Sequence, residues 1–114
     1  MSAPRWRLLN ETNAVAAFPG VTRRTLVSGD HLTLVRIELE QGATVPQHVH
    51  PHEQAGTVIS GRIRLSMPRG SGPRDLGPGA SYLIPGDLPH EVTALTDAVV
   101  AEVFSPVRRE FASD

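Results

Sequence analysis

The chain of 114 residues contains no cysteine. Disulfides and thiolate zinc sites are therefore excluded, and any metal must be held by nitrogen and oxygen ligands. Lysine is absent too, so all eleven basic residues are arginine, and aromatic residues make up only 4% of the chain. No segment approaches the ~18 consecutive apolar residues of a membrane span, and the opening Met1–Arg7 lacks the apolar core of a signal peptide. A cytoplasmic protein that does not engage membranes is the expectation. A formal net charge of -1 with no basic stripe gives no electrostatic footprint for nucleic acid.

What is present is a series of short runs rich in β-branched and apolar residues: Val21–Val27, Leu32–Leu39, Gln54–Ile59, Arg62–Met67, Ser81–Ile84, His90–Leu95 and Ala98–Phe104. Turn chemistry separates them, as at Gly29-Asp30, Ser60-Gly61, Gly77-Pro78-Gly79 and Pro85-Gly86-Asp87. Apolar residues at helical spacing never persist between these breaks. The pattern predicts an all-β, antiparallel sandwich or barrel in one domain. The glycine- and proline-rich stretch Pro68–Pro78 reads as a loop.

Three of the five histidines fall in Gln47-His48-Val49-His50-Pro51-His52-Glu53-Gln54. Side chains alternate faces along an extended chain, so His48 and His50 point the same way, and Gln54 shares their parity if the strand continues. His90, after the Pro85–Pro89 turn, is placed to add a third imidazole from a neighbouring strand. Neutral imidazoles with an amide oxygen suit a divalent ion. Pro51 breaks the alternation around His52 and Glu53, which read as rim or supporting residues. Tyr82 and Trp6 are candidates for the site or the barrel rim, with packing as the plainer role.

The spacing Gly42-x5-His48-x-His50-x3-Gln54-x6-Gly61 resembles the first cupin motif, with Gln54 where many cupins have glutamate. Gly79-x5-Pro85-x-Asp87-x2-His90 resembles the second, with Asp87 where the pattern has glycine. This resemblance implies a cupin-type double-stranded β-helix, or jelly-roll, barrel over about residues 20–106, with an N-terminal arm (1–19) and a C-terminal tail (107–114). It also implies one divalent metal ion held by His48, His50, Gln54 and His90; zinc, nickel, manganese and iron all fit that donor set. Three imidazoles and an amide leave the ion its full charge, favouring isomerase, lyase or cyclase chemistry over dioxygenase chemistry.

In the last strand, Glu102 and Phe104 are two residues apart and share a face. Either both enter the barrel, or Glu102 lies outside and pairs with an arginine. The His-x-His-Pro-His-Glu-Gln run and the terminal Val-Phe-Ser-Pro-x-Arg run together resemble the KdgF family of small cupins, which act on unsaturated monouronates. That resemblance implies catalytic roles for Glu102, Phe104 and Arg108, and an anionic sugar acid as the small-molecule substrate. The family usually has aspartate where this chain has Glu102. An added methylene moves the carboxyl group by about a bond length, and a misplacement near ~1 Å can lower a rate ~10²-fold.

Two other readings fit the same motifs. One is a cupin cyclase or oxygenase acting on an aromatic or polyketide substrate; the other is a non-catalytic, metal-dependent module that binds a small molecule. A homodimer formed through sheet contacts is expected in each case, since a short barrel leaves sheet edges exposed.

Overall fold

A computed structural model describes residues 3–70 and 72–114. After one 3₁₀ turn at Leu9–Glu11 come ten strands: β1 (Val15–Phe18), β2 (Val21–Ser28), β3 (Thr33–Leu39), β4 (Thr44–His48), β5 (Glu53–Ser60), β6 (Ile63–Ser66), β7 (Arg74–Leu76), β8 (Ser81–Ile84), β9 (His90–Ala94) and β10 (Ala98–Ser105). One short helix, α1 (Arg109–Ala112), follows. Among the described residues no helix is long and apolar enough to cross a membrane.

The strands form two antiparallel sheets, one six-stranded in the order β1-β2-β3-β10-β5-β8 and one four-stranded in the order β4-β9-β6-β7. From β3 onward the chain passes repeatedly from one sheet to the other, the connectivity of a jelly roll. The crossings at Ser60-Gly61, Gly77-Pro78-Gly79 and Pro85-Gly86-Asp87 fall where the turn residues predict them, whereas those that follow His48 and Ala94 do not. Gly61 shows why one of them needs glycine: its φ is +74°, and a Cβ there would lie 2.7 Å from Ala98 Cα.

The inner faces of both sheets supply the core. Val21, Leu39, Val58, Ile84 and Val100 from the larger sheet meet Ile63, Leu65, Val92 and Ala94 from the smaller one. Strand β10 shows the governing period of two, since Ala98, Val100, Glu102 and Phe104 are buried and the residues between them half-buried. Its inward row therefore runs from small apolar residues to a carboxylate and then a phenyl ring, so the polar site lies towards one end of the barrel. Arg36 pairs with Glu38 and Arg64 with Asp75.

Three strands lie outside the runs expected from the sequence. β1 falls within the stretch read as an arm, β4 carries Pro46 in its interior, and β7 lies in the stretch read as a loop. β1 and β7 extend the edges of their sheets, and β4 is the other edge of the smaller sheet, where a proline is tolerated because one row of backbone groups needs no partner.

Candidate metal centre

His48 closes β4 and His90 opens β9, directly opposite it in the ladder. His50 sits in the crossing that follows, and Gln54 lies in β5 of the other sheet. Alternation along one strand is therefore not what brings His48 and Gln54 together, because the chain changes sheets between them. The barrel's closure does it instead. The ring centroids of His48 and His90 are 4.3 Å apart, those of His50 and His90 4.9 Å, and those of His48 and His50 5.5 Å.

The second crossing fixes the first. Asp87 donates its backbone N–H to the His50 carbonyl at 2.8 Å. It does so from a left-handed conformation, φ +63°, that favours glycine and that aspartate tolerates better than most residues. The neighbouring Gly86 packs so closely on the Pro51 carbonyl that no side chain fits there.

The hydrogen bonds of the three histidines determine their tautomers. His48 Nδ1 faces the Pro46 carbonyl at 2.9 Å, His50 Nδ1 the His52 carbonyl at 3.1 Å, and His90 Nδ1 the Leu88 carbonyl at 2.9 Å. A carbonyl can only accept, so each Nδ1 carries the proton and each Nε2 keeps its lone pair. The ligand atoms available on the three rings lie within 4.8 Å of one another, a grouping that could hold a metal ion. Burial pushes His90 down to about 4, and burial followed by the Arg108 charge lowers His50, so both rings stay neutral near pH 7. His90 Nε2 is buried without a hydrogen-bond partner.

Gln54 adds a fourth donor atom. Its amide nitrogen donates to Glu102, which turns the amide oxygen towards His50 Nε2 at 3.0 Å. Both of those atoms are acceptors, and two facing lone pairs at that distance repel unless a cation lies between them. Ligand atoms bound to one ion at ~2.0–2.2 Å lie about 3 Å apart as neighbours, so the residues present fit a divalent ion. His52 supplies the carbonyl that orients His50, while its own ring lies beside His50 and Phe104; Glu53 is exposed.

Beside this cluster is a cavity of about 210 Å³, whose lining includes His48, Gln54, Tyr82, His90, Glu102 and Arg108. A roomier groove of about 500 Å³ runs past Arg36, Glu38 and Asp97, but it contains no histidine. Of the two alternatives for Glu102, the inward one holds: the side chain is 7% exposed. Burial pushes its carboxyl up, opposed by hydrogen bonds from Tyr82 and Gln54 and by the Arg108 charge. The Tyr82 hydroxyl donates to Glu102 at 2.7 Å, so this ring is a cavity residue and not packing alone, whereas Trp6 is 84% exposed.

Arg108 lies over the Phe104 ring at 4.8 Å and the Phe111 ring at 4.2 Å, and its guanidinium pairs with the exposed Glu110. Arg23 covers Phe111 as well, at 4.0 Å, and pairs with Asp114 at 2.9 Å. Both Arg23 and Phe111 line the cavity. The sequence carries no local signal for either role, because they are 88 positions apart and meet only when α1 folds back onto β2.

A two-sheet jelly roll with three inward imidazoles at one end defines the cupin class. The cupin domain family matches residues 35–106, and the chain belongs to it. Among solved structures it is similar to KdgF from Halomonas sp., with 26% identity, a TM-score of 0.87, and coverage of 95% of this chain and 98% of that one. An RmlC-like cupin from Shewanella frigidimarina gives 24% identity, a TM-score of 0.87 and 96% coverage of both chains. The polyketide cyclase RemF from Streptomyces resistomycificus shares the fold at 19% identity and a TM-score of 0.77, covering 92% of this chain and 80% of that one. Comparison with curated proteins gives no significant match.

Proposed function

We propose that the protein is a metal-dependent small cupin enzyme that opens 4,5-unsaturated monouronates to their linear keto form. The observation that carries this reading is the buried carboxylate of Glu102 lining the same cavity as the histidine cluster and Arg108. The likeness to KdgF along nearly the whole chain supports it.

In this reading His48, His50, Gln54 and His90 hold one divalent ion, which is zinc, nickel, manganese or iron. A bound ion of this kind polarises a substrate oxygen. Arg108 pairs with the substrate carboxylate, which takes the place of the solvent-exposed Glu110. Phe104 walls the sugar ring from the side of β10. Glu102 accepts the proton of the anomeric hydroxyl as the bond between the anomeric carbon and the ring oxygen breaks. The ring oxygen leaves as an enolate, and return of the proton from Glu102 to carbon 4 turns it into the ketone and restores the carboxylate. The product is an isomer of the substrate, and no redox partner is required.

The test follows the loss of ultraviolet absorbance of a 4,5-unsaturated monouronate with metal-loaded protein, chelator-stripped protein and no protein. Acceleration only in the loaded sample supports the reading, while a rate equal to the spontaneous one defeats it. A cyclase acting on an aromatic or polyketide substrate is the second reading, favoured by the apolar and aromatic share of the cavity wall, including Ile37, Val45, Val92, Phe104 and Phe111. Saturable binding of a polycyclic phenol to the loaded protein, with no effect on the uronate, favours that reading. For both enzymes we propose a homodimer, since the larger sheet leaves Ile59 and Leu83 more than half exposed.

A further inference from the structure

The Gln54 amide can serve a metal centre with its oxygen only, so something must choose which end of it faces the histidines. A free amide has two nearly isosteric orientations, and the wrong one presents N–H donors to the ion. Here the choice is made from outside the ligand set. Glu102 Oε2 accepts from Gln54 Nε2 on one side and from the Tyr82 hydroxyl on the other. A carboxylate oxygen is acceptor only, so the amide nitrogen must point at Glu102 and the amide oxygen at His50.

Tyr82 reaches Glu102 because of a gap in the strand between them. In the larger sheet Gly56 stands opposite Tyr82 in β8 on one side and opposite Glu102 in β10 on the other. Two strand spacings, roughly 9–10 Å, separate Tyr82 from Glu102, a distance that adjacent side chains do not bridge when the middle residue carries one of its own. The Tyr82 ring occupies the space where a side chain at position 56 would be. A Cβ there would overlap the hydroxyl and Cζ of the ring and lie 2.6 Å from Cε2.

We propose that Tyr82, Glu102 and Gln54 form a relay, admitted by Gly56, that holds the Gln54 oxygen on the metal centre, with Tyr82 as a positioning residue. This rests on the metal-binding half of the function proposed above and not on its uronate half. It assigns Glu102 a task that does not depend on turnover. Tyr82 keeps its proton for the purpose, since burial and the adjoining carboxylate both push its phenol up.

The test uses the whole chain with cobalt(II) as the probe, measuring affinity by competition with a chromophoric chelator and the donor set by the visible ligand-field spectrum. Tyr82→Phe removes only the hydroxyl. We expect it to weaken cobalt binding about 10-fold, in the range seen when supporting hydrogen bonds of metal ligands are lost, and to shift the spectrum at saturation. Gly56→Ala, which must displace the ring, should do the same. In a Glu102→Ala background Tyr82→Phe should have no further effect, because the relay is already cut. Wild-type affinity and spectrum in Tyr82→Phe would overturn the relay, as would a loss that simply adds to that of Glu102→Ala. A wild-type chain that binds no cobalt would instead remove the metal reading itself, and the relay with it. Thermal melts of each variant separate these outcomes from misfolding.

Discussion

His90 makes the stability of the metal-free protein depend on pH in a way that can be worked out in advance. The ring is 1% exposed, its Nε2 has no hydrogen-bond partner, and His48 and His50 crowd it on two sides. An ordinary histidine titrates near 6.5, and burial takes His90 down to about 4. The folded state therefore binds this proton less readily than the unfolded state, and stability falls as pH drops through the window from 6.5 to about 4. A difference of about 2.5 units at 1.36 kcal/mol per unit is about 3 kcal/mol, a large part of the ~5–15 kcal/mol that holds a typical domain together. His50 acts in the same direction and the raised carboxyl of Glu102 in the opposite one, so the contribution of His90 must be isolated by difference. His90→Asn serves, since an amide nitrogen can still donate to the Leu88 carbonyl. Urea unfolding of both proteins in chelator, at intervals from pH 7.5 to 4, should show the variant losing about 3 kcal/mol less than the wild type. Parallel profiles for the two proteins would mean that His90 does not carry this pH dependence.

Other consequences can be checked separately. Zinc at 100 times its dissociation constant should stabilise the protein by about 2.7 kcal/mol, seen as a raised melting temperature in calorimetry, and His48→Ala with His90→Ala should abolish the rise. Arg108→Ala should lower kcat/KM for the monouronate roughly 10- to 100-fold, the loss of a charge-assisted hydrogen bond, while leaving cobalt affinity intact. Gly61→Ala should cost at least about 2 kcal/mol in urea unfolding, because it combines a left-handed backbone with a Cβ held 2.7 Å from Ala98 Cα.

The sequence showed the central strands more clearly than the edges. β3, β5, β6, β9 and β10 each have neighbours on both sides and carry the alternating or β-branched patterns that burial demands. The three strands it did not show are all edges, where water replaces one neighbour and the pattern weakens to Val-Ala-Ala-Phe, a proline-interrupted run, or Arg-Asp-Leu. β8 is also an edge, but Tyr-Leu-Ile made it visible. The three histidines that the motifs singled out lie together, but His50 and Gln54 reach the cluster through a change of sheet and not through alternation along one strand. Tyr82 looked like packing, because its role depends on Gly56 lying across from it, and cross-strand register is not written in either local segment.

A protein without cysteine has no covalent staple to hold its two sheets together. Here His48 and His90 belong to the smaller sheet and Gln54 to the larger one, so an ion shared among them would rivet the two at the end where the cavity opens. It would also cross-link residues 42 positions apart in the chain, shrinking the unfolded state much as a disulfide does. Metal loading would then slow amide hydrogen exchange most in β4, β5 and β9, and leave the far end of the barrel to its apolar core.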